Sequence, residues 1–157
     1  MADEMKLAKA KQIYQTLCDA IDNRSWKYTK VEDELLVHFG VNGEDIPMQF
    51  ILFVDAERQL IRLLSPLPFN MCEAKRLDGA IAACVASYGM VDGSFDYDLS
   101  NGRVSFRMTA SFLDSDIGEN LLQYMISCSC FTVDKYNDRF LALDKGMISI
   151  ADFVGKE

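Results

Sequence analysis

The chain contains one histidine, His38, so a site that needs a histidine base or ligand must be built around this residue. His38 lies in the middle of a predicted strand, on the side where that strand carries its more polar residues. A single histidine excludes a histidine-rich metal site and leaves a catalytic triad only one possible base. We interpret His38 as a residue of a strand surface.

The five cysteines fall within apolar patterns at irregular spacing: Cys18, Cys72, Cys84, Cys128 and Cys130. Cys128 and Cys130 form a C-x-C pair in a predicted helix, where residues two apart diverge and cannot ligate one metal ion together. We interpret the cysteines as small apolar residues with free thiols. Their odd number, and an N-terminal stretch without the pattern of a signal peptide, predict a cytoplasmic protein.

Carboxylates are dense between Asp92 and Gly102, a composition that invites comparison with a calcium loop. Counted from Asp96, however, the sixth position is Asn101 instead of glycine, and the twelfth is Arg107 instead of glutamate. The strict alternation of apolar and charged residues predicts a hairpin there. Phosphate-binding glycine motifs, nucleophile elbows and zinc-protease motifs do not occur in the sequence. We therefore predict a protein without a catalytic site, a metal or a cofactor.

Charge and hydropathy restrict the partners further. The formal net charge of the 157 residues is −8, and no run of Lys or Arg is present, which disfavours nucleic acids and anionic membrane surfaces. No apolar run has the length needed to span a membrane. Half of the residues are hydrophobic, enough for one globular domain over residues 1–157.

Hydrophobic periodicity predicts the order helix, strands, helix, hairpin, helix, which is typical of an α+β fold with antiparallel strands. The predicted helices cover residues 3–22, 70–88 and 117–143, the strands cover 26–31, 34–41, 48–55 and 59–65, the hairpin covers 94–100 and 103–110, and Ser149 caps a last short turn.

Turn and cap residues predict how these elements are joined. Asn42-Gly43 and Asn101-Gly102 are typical of two-residue hairpin turns. The implied partners are Val41 with Glu44 in the first hairpin and Leu99 with Val104 in the second. Pro66-Leu67-Pro68 is expected to end the sheet segment before it. Asn70 and Asp116 precede a glutamate by three residues and are expected to be N-caps.

In two places the chain has more apolar residues than one core needs, and both places are candidate interaction surfaces. The four candidate partner-binding residues are Ile51, Phe53, Ile61 and Leu63. The second helix has one charged residue, Asp78, between positions 77 and 90, which predicts burial on all sides. This helix could be buried either by a second copy of the chain or by other elements of the same monomer. The candidate dimer-interface residues are Leu77, Ala80, Ala83, Cys84 and Ser87.

Three segments carry a resemblance to a known family: Leu64 to Pro68, Ala86 to Asp98, and Asn101 to Arg107. They resemble the YbjN-like family, described as proposed bacterial sensory-transduction regulators. The resemblance implies the type III secretion chaperone-like fold, a two-layer α/β domain, and it brings no catalytic residues.

Two functions follow as hypotheses. The first is a non-enzymatic protein-binding module, chaperone-like or regulatory, that acts as a homodimer and binds a protein or peptide on apolar sheet surface. The alternative is a sensory domain that binds a small molecule in an apolar pocket between sheet and helices. A ligand-dependent rise in thermal stability would distinguish the alternative from the first hypothesis.

Overall fold

The computed structural model describes residues 3–155, so the ends of the predicted domain at residues 1 and 157 lie outside the described part. Its elements are α1 (Glu4–Asn23), β1 (Thr29–Val31), β2 (Leu36–Asn42), β3 (Pro47–Asp55), β4 (Leu60–Asn70), α2 (Arg76–Tyr88), β5 (Ser94–Asp98), β6 (Arg103–Ser111), α3 (Glu119–Asp144) and α4 (Ile150–Val154). The predicted α+β class and the order of elements are confirmed.

The strands form one antiparallel six-stranded sheet in the order β1-β2-β3-β4-β6-β5. Helix α1 packs against α3, and both contact the middle strands, whereas α2 lies against β5. Within residues 3–155, every buried strand side chain points to the helix layer, as in the row Val37, Leu52, Leu63 and Met108 across four strands. The result is a two-layer domain with a single covered sheet face.

The predicted strand registers of both hairpins are wrong, but the predicted assignment of side chains to the buried and the open face of each hairpin is right. Val41 pairs with Met48 instead of Glu44, because residues 43–46 form a longer loop. In the loop, Asp134 of α3 accepts a hydrogen bond from the Glu44 amide at 2.9 Å. A Cβ at Gly43 would come within 2.7 Å of the Ile46 carbonyl oxygen and closer still to the Asp134 carboxylate, so this loop requires glycine.

The second hairpin differs in the same way. Tyr97, not Leu99, pairs with Val104, and residues 99–102 make the turn with Gly102 at a φ of +76°. Both register changes are even numbers of residues. An even shift returns each side chain to its original face, so the predicted apolar and polar faces are kept.

Strand β4 does not end at Pro66, as the sequence predicts, but continues to Asn70 with an irregularity between Pro66 and Asn70. Its pairing with β3 stops at Leu64 opposite Ile51, so the proline segment is paired on the β6 side alone. Proline is tolerated in strands that keep one side free of ladder bonds.

The predicted N-caps are confirmed in one case out of three. Ser149 caps α4 in a reciprocal capping box with Asp152. Helix α2 begins at Arg76 after a 3-10 turn over Glu73–Lys75, so Asn70 is too distant to cap it. Helix α3 starts after Gly118. The Asp116 carboxylate accepts a hydrogen bond from the Ile117 amide, not from an amide of the first turn of α3.

Helix α2 is not buried on all sides. Its small residues face the sheet, with Ala82, Ala83 and Ala86 buried, while Leu77 is 71% and Tyr88 92% exposed. Small side chains bring the α2 backbone close to β5, while the outer side of α2 keeps exposed apolar side chains.

Ser87 of α2 closes the edge of the sheet. Its hydroxyl accepts a hydrogen bond from the Phe95 amide at 2.8 Å and lies 3.4 Å from the Phe95 carbonyl oxygen, to which it donates. These two groups belong to strand β5, which is the edge of the sheet formed by residues 3–155. Ser87 thus occupies backbone groups of an edge strand that could otherwise form hydrogen bonds with another chain.

We predict that Ser87→Ala lowers the free energy of unfolding by about 1–2 kcal/mol, because two backbone groups lose their partner. Urea denaturation followed by circular dichroism measures the change. Ser105→Ala is the matched control, since the half-buried Ser105 hydroxyl on β6 makes no side-chain hydrogen bond within residues 3–155. Equal stabilities of the two variants would contradict this role of Ser87.

The turn between β3 and β4 is held by Asp55. Its carboxylate accepts hydrogen bonds from the Arg58 amide at 2.9 Å and from the Arg58 guanidinium at 3.1 Å. Partial burial opposes ionisation, but the hydrogen bonds and the charge of Arg58 outweigh it and lower the pKa of Asp55. The ionised carboxylate is therefore the form that the fold stabilises.

We predict that Asp55→Asn costs about 1 kcal/mol of unfolding free energy at pH 7. A carboxyl with a lowered folded-state pKa contributes above its unfolded pKa of about 3.9 and loses the contribution as pH falls through the folded value. The difference between wild type and variant, followed by thermal denaturation, should therefore shrink as the pH falls below the unfolded pKa and vanish once Asp55 is protonated in the folded state as well. A difference independent of pH would contradict the prediction, and Asp45→Asn in the exposed β2–β3 loop serves as control.

Candidate functional site

The sheet face opposite the helices carries a continuous apolar surface, which we call the open face. Its half-buried apolar side chains are Leu36 on β2, Ile51 and Phe53 on β3, and Leu60 and Leu64 on β4. Strand pairing places Leu36 beside Phe53, and Ile51 beside Leu64. These side chains therefore form neighbouring rows in the middle of the sheet, where no described element covers them.

The structure divides the four candidate partner-binding residues between two faces. Ile51 and Phe53 lie on the open face, as their pairing with His38 and Leu36 requires. Ile61 and Leu63 are 0% exposed and point into the core under the helices. A partner cannot reach Ile61 or Leu63 without opening the core, so the candidate surface is narrowed to the first two residues and their neighbours.

Sequence reasoning missed Leu36, Leu60 and Leu64 as parts of this surface. The alternation along β4 contains a signal for the open face, because the positions of Leu60 and Leu64 alternate with those of the buried Ile61 and Leu63. When both parities of a strand are apolar, composition cannot tell which one faces the core. Pairing with β3 settles the question.

Arginines border the apolar rows on the β6 side. Arg62 lies next to Phe53 on one side and Thr109 on the other, and its guanidinium stands 5.1 Å above the Phe53 ring. Arg58, Leu60, Arg62, Arg107 and Thr109 line a recess of about 340 Å³.

Two of the three arginines are paired with carboxylates. Arg107 contacts Asp96 in a bidentate arrangement, with Nε at 2.8 Å and Nη2 at 3.1 Å from the two carboxylate oxygens. The pair runs diagonally, because Asp96 is paired with Ser105 and Arg107 with Ser94. Arg58 is bound to Asp55 at the turn.

The candidate dimer-interface residues are also divided, between the outer surface of α2 and its side that packs on the sheet. Leu77 and Cys84 lie on the outer surface of α2, and Ala80 is half-buried. Ala83 is 3% exposed, and the Ser87 hydroxyl is used on β5. The outer stripe of α2 consists of Leu77, Ile81, Cys84 and Tyr88, at helical spacings of four, three and four residues.

The groups that could do chemistry are dispersed. His38 is exposed on the open face between Thr29 and Ile51. All five cysteines are free thiols, and burial raises the pKa of Cys130 to about 11, which suppresses its reactive thiolate form. Within residues 3–155, no three His, Cys, Asp or Glu side chains could share a metal ion.

One recess of about 410 Å³ lies between the first turns of α1 and the 3-10 turn Glu32–Glu34. Lys11 and three carboxylates line it beside Leu35 and other apolar groups. Its rim is polar and charged, unlike the apolar pocket that a sensory domain would require. This recess therefore does not favour the sensory alternative.

None of the helices in the described ranges is both long and apolar enough to cross a membrane. Helix α3 has 26 residues, but several of them are charged.

Comparison with solved structures identifies the fold. The chain is similar to YbjN from E. coli, a candidate transcription regulator, with a TM-score of 0.60, 9% sequence identity and coverage of 85% of this chain and 92% of YbjN. It is also similar to a chain of the HopA1–SchA chaperone–effector complex, with a TM-score of 0.54, 11% identity and coverage of 82% and 95%.

No protein-family model matches the chain, and no curated protein sequence matches it. At identities of 9% and 11%, the two likenesses concern the fold. The chain has the YbjN-like, type III secretion chaperone-like fold that the sequence resemblance implies.

Proposed function

We propose that this protein is a non-enzymatic protein-binding module, chaperone-like or regulatory, that works in a reducing cytoplasm. The observation that carries the proposal is the open face, where Leu36, Ile51, Phe53, Leu60 and Leu64 present apolar surface on the central strands. A partner segment bound to this face would shield its apolar side chains from water, as the helices do on the other face of the sheet.

The fold supports the proposal. One similar structure is a chaperone–effector complex and the other is a candidate regulator. Five free thiols agree with a reducing compartment. The dispersed placement of His38, the cysteines and the paired carboxylates favours binding over catalysis.

A homodimer through α2 is the second part of the proposal. The outer stripe of Leu77, Ile81, Cys84 and Tyr88 exposes large apolar side chains along three turns of one helix. Two copies of such a stripe are self-complementary about a two-fold axis, as an isologous interface requires. The dimer would leave both open faces accessible, because α2 lies in the opposite layer.

The partner surface is tested by selecting 12-residue peptides from a phage-displayed random library against the immobilised protein. We expect extended, apolar-rich peptides, and we expect Phe53→Asp to weaken their binding about tenfold or more, because a carboxylate would replace the central aromatic contact. Phe131→Asp is the matched control, since Phe131 is 74% exposed on α3 in the other layer.

A folded Phe53→Asp variant that binds every selected peptide as wild type does would contradict the assignment of the open face. Circular dichroism and thermal melting establish the folded state. If the aspartate prevents folding, Ile51→Ser on the same row provides the equivalent test with a smaller change.

The dimer is tested by multi-angle light scattering at micromolar concentration. We expect a mass of about 35 kDa, twice the 17.7 kDa of one chain, and a monomer for Ile81→Asp, because the substitution places two carboxylates in the α2 interface. Leu113→Asp, at an exposed position outside α2, should remain dimeric. A wild-type protein of monomeric mass contradicts the dimer.

A further inference from the structure

Arg62 is a charged side chain on the open face with no acidic partner. The guanidinium lies over the Phe53 ring, and it makes no hydrogen bond or ion pair within residues 3–155. The neighbouring arginines differ, since Arg58 is bound to Asp55 and Arg107 to Asp96. The charges of these two are locally compensated, and the charge of Arg62 is not.

This cation stands out in a chain of formal net charge −8. Exposed charges are screened beyond about 8–10 Å at physiological salt, so a ligand on the open face senses mainly the nearest groups. Of the three guanidinium groups at the recess, that of Arg62 forms no ion pair with a carboxylate of residues 3–155. A ligand beside Arg62 therefore meets a positive charge that no neighbouring ion pair compensates.

The contact with Phe53 prepares Arg62 for a carboxylate. The guanidinium carbon lies 5.1 Å from the centre of the aromatic ring, within cation–π range, and the guanidinium N–H groups make no hydrogen bond within residues 3–155. An arginine fork of this kind accepts a carboxylate through two parallel hydrogen bonds. Restricting the side chain beforehand reduces the entropy that binding would cost.

The spacing of the rows matches an extended peptide. The row containing Ile51 and Leu64 and the row containing Phe53 and Arg62 are two residues apart along each strand, about 6.7 Å. Alternate side chains of an extended segment have the same spacing. A peptide parallel to the strands would place an apolar side chain over Ile51 and Leu64, and its next inward side chain beside Arg62.

We propose that the open face recognises extended peptide segments of the pattern apolar-x-acidic, with the acidic carboxylate bound by Arg62. The inference rests on the proposed protein-binding function and adds to it the chemistry of the partner. An apolar side chain supplies contact area over Ile51 and Leu64, and the carboxylate enters the recess and fixes the position of the peptide along the strands.

The test uses the fluorescein-labelled octapeptide Thr-Val-Thr-Glu-Thr-Val-Thr-Glu, in which valine and glutamate alternate on one face. A second peptide has glutamine in place of each glutamate, and a third has serine in place of each valine. Fluorescence anisotropy with the full-length protein measures all three. We expect the first peptide to bind about tenfold more tightly than the second, as a charge-assisted hydrogen-bond pair would give.

Arg62→Gln should abolish the preference for glutamate over glutamine, with little change in binding of the glutamine peptide. Arg103→Gln is the matched control, because it removes the same charge from the exposed start of β6, outside the recess. It should keep the preference. Arg62→Lys should keep the charge but lose most of the preference, since lysine offers no bidentate fork.

Equal binding of the glutamate and glutamine peptides by the wild type would overturn the inference, as would a preference that survives in Arg62→Gln. The proposed function fails differently. If both peptides bind equally and Phe53→Asp releases both, the open face binds peptides without selecting acidic ones. No saturable binding of any of the three peptides also overturns the inference.

Discussion

The pleat of the sheet is the constraint on which the rest of the structure depends. Successive side chains of a strand must point to opposite faces, and all three long helices lie on one face, so each strand has a buried parity and an open parity. Strand β4 illustrates the consequence. Ile61 and Leu63 are sealed in the core, while Leu60 and Leu64, one position away, are half-exposed. The same constraint creates a core and an uncovered apolar surface.

The constraint also explains how much the sequence can predict. The class, the order of elements and the faces of both hairpins follow from periodicity, because a face survives any even change of register. The register itself depends on loop length, and Asn42-Gly43 and Asn101-Gly102 suggest shorter loops than the four residues that form. The contact between Asp134 and the Glu44 amide, 90 residues apart, favours the longer loop. Local turn propensity contains no information about such a contact.

The candidate site was partly predictable for a similar reason. Ile51 and Phe53 stand out because they are apolar on the parity shared with His38, and the structure places them on the open face. Ile61 and Leu63 belong to a strand that is apolar on both parities, where only pairing with a neighbour decides the face. The role of Ser87 escaped prediction because the hydroxyl serves the backbone of β5, a partner that α2 meets only after folding. The contact of Arg62 with Phe53 also joins two strands.

The proposed function requires that a partner segment lies on the open face of the sheet. Methyl-labelled NMR during titration with a library-selected peptide is the sharpest test, because methyl groups report on the two faces separately. We expect shifts at Leu36, Ile51 and Leu64, with small changes at the buried Leu52 and Leu63. Shifts confined to Leu77 and Ile81 of α2, with Ile51 unchanged, would contradict it.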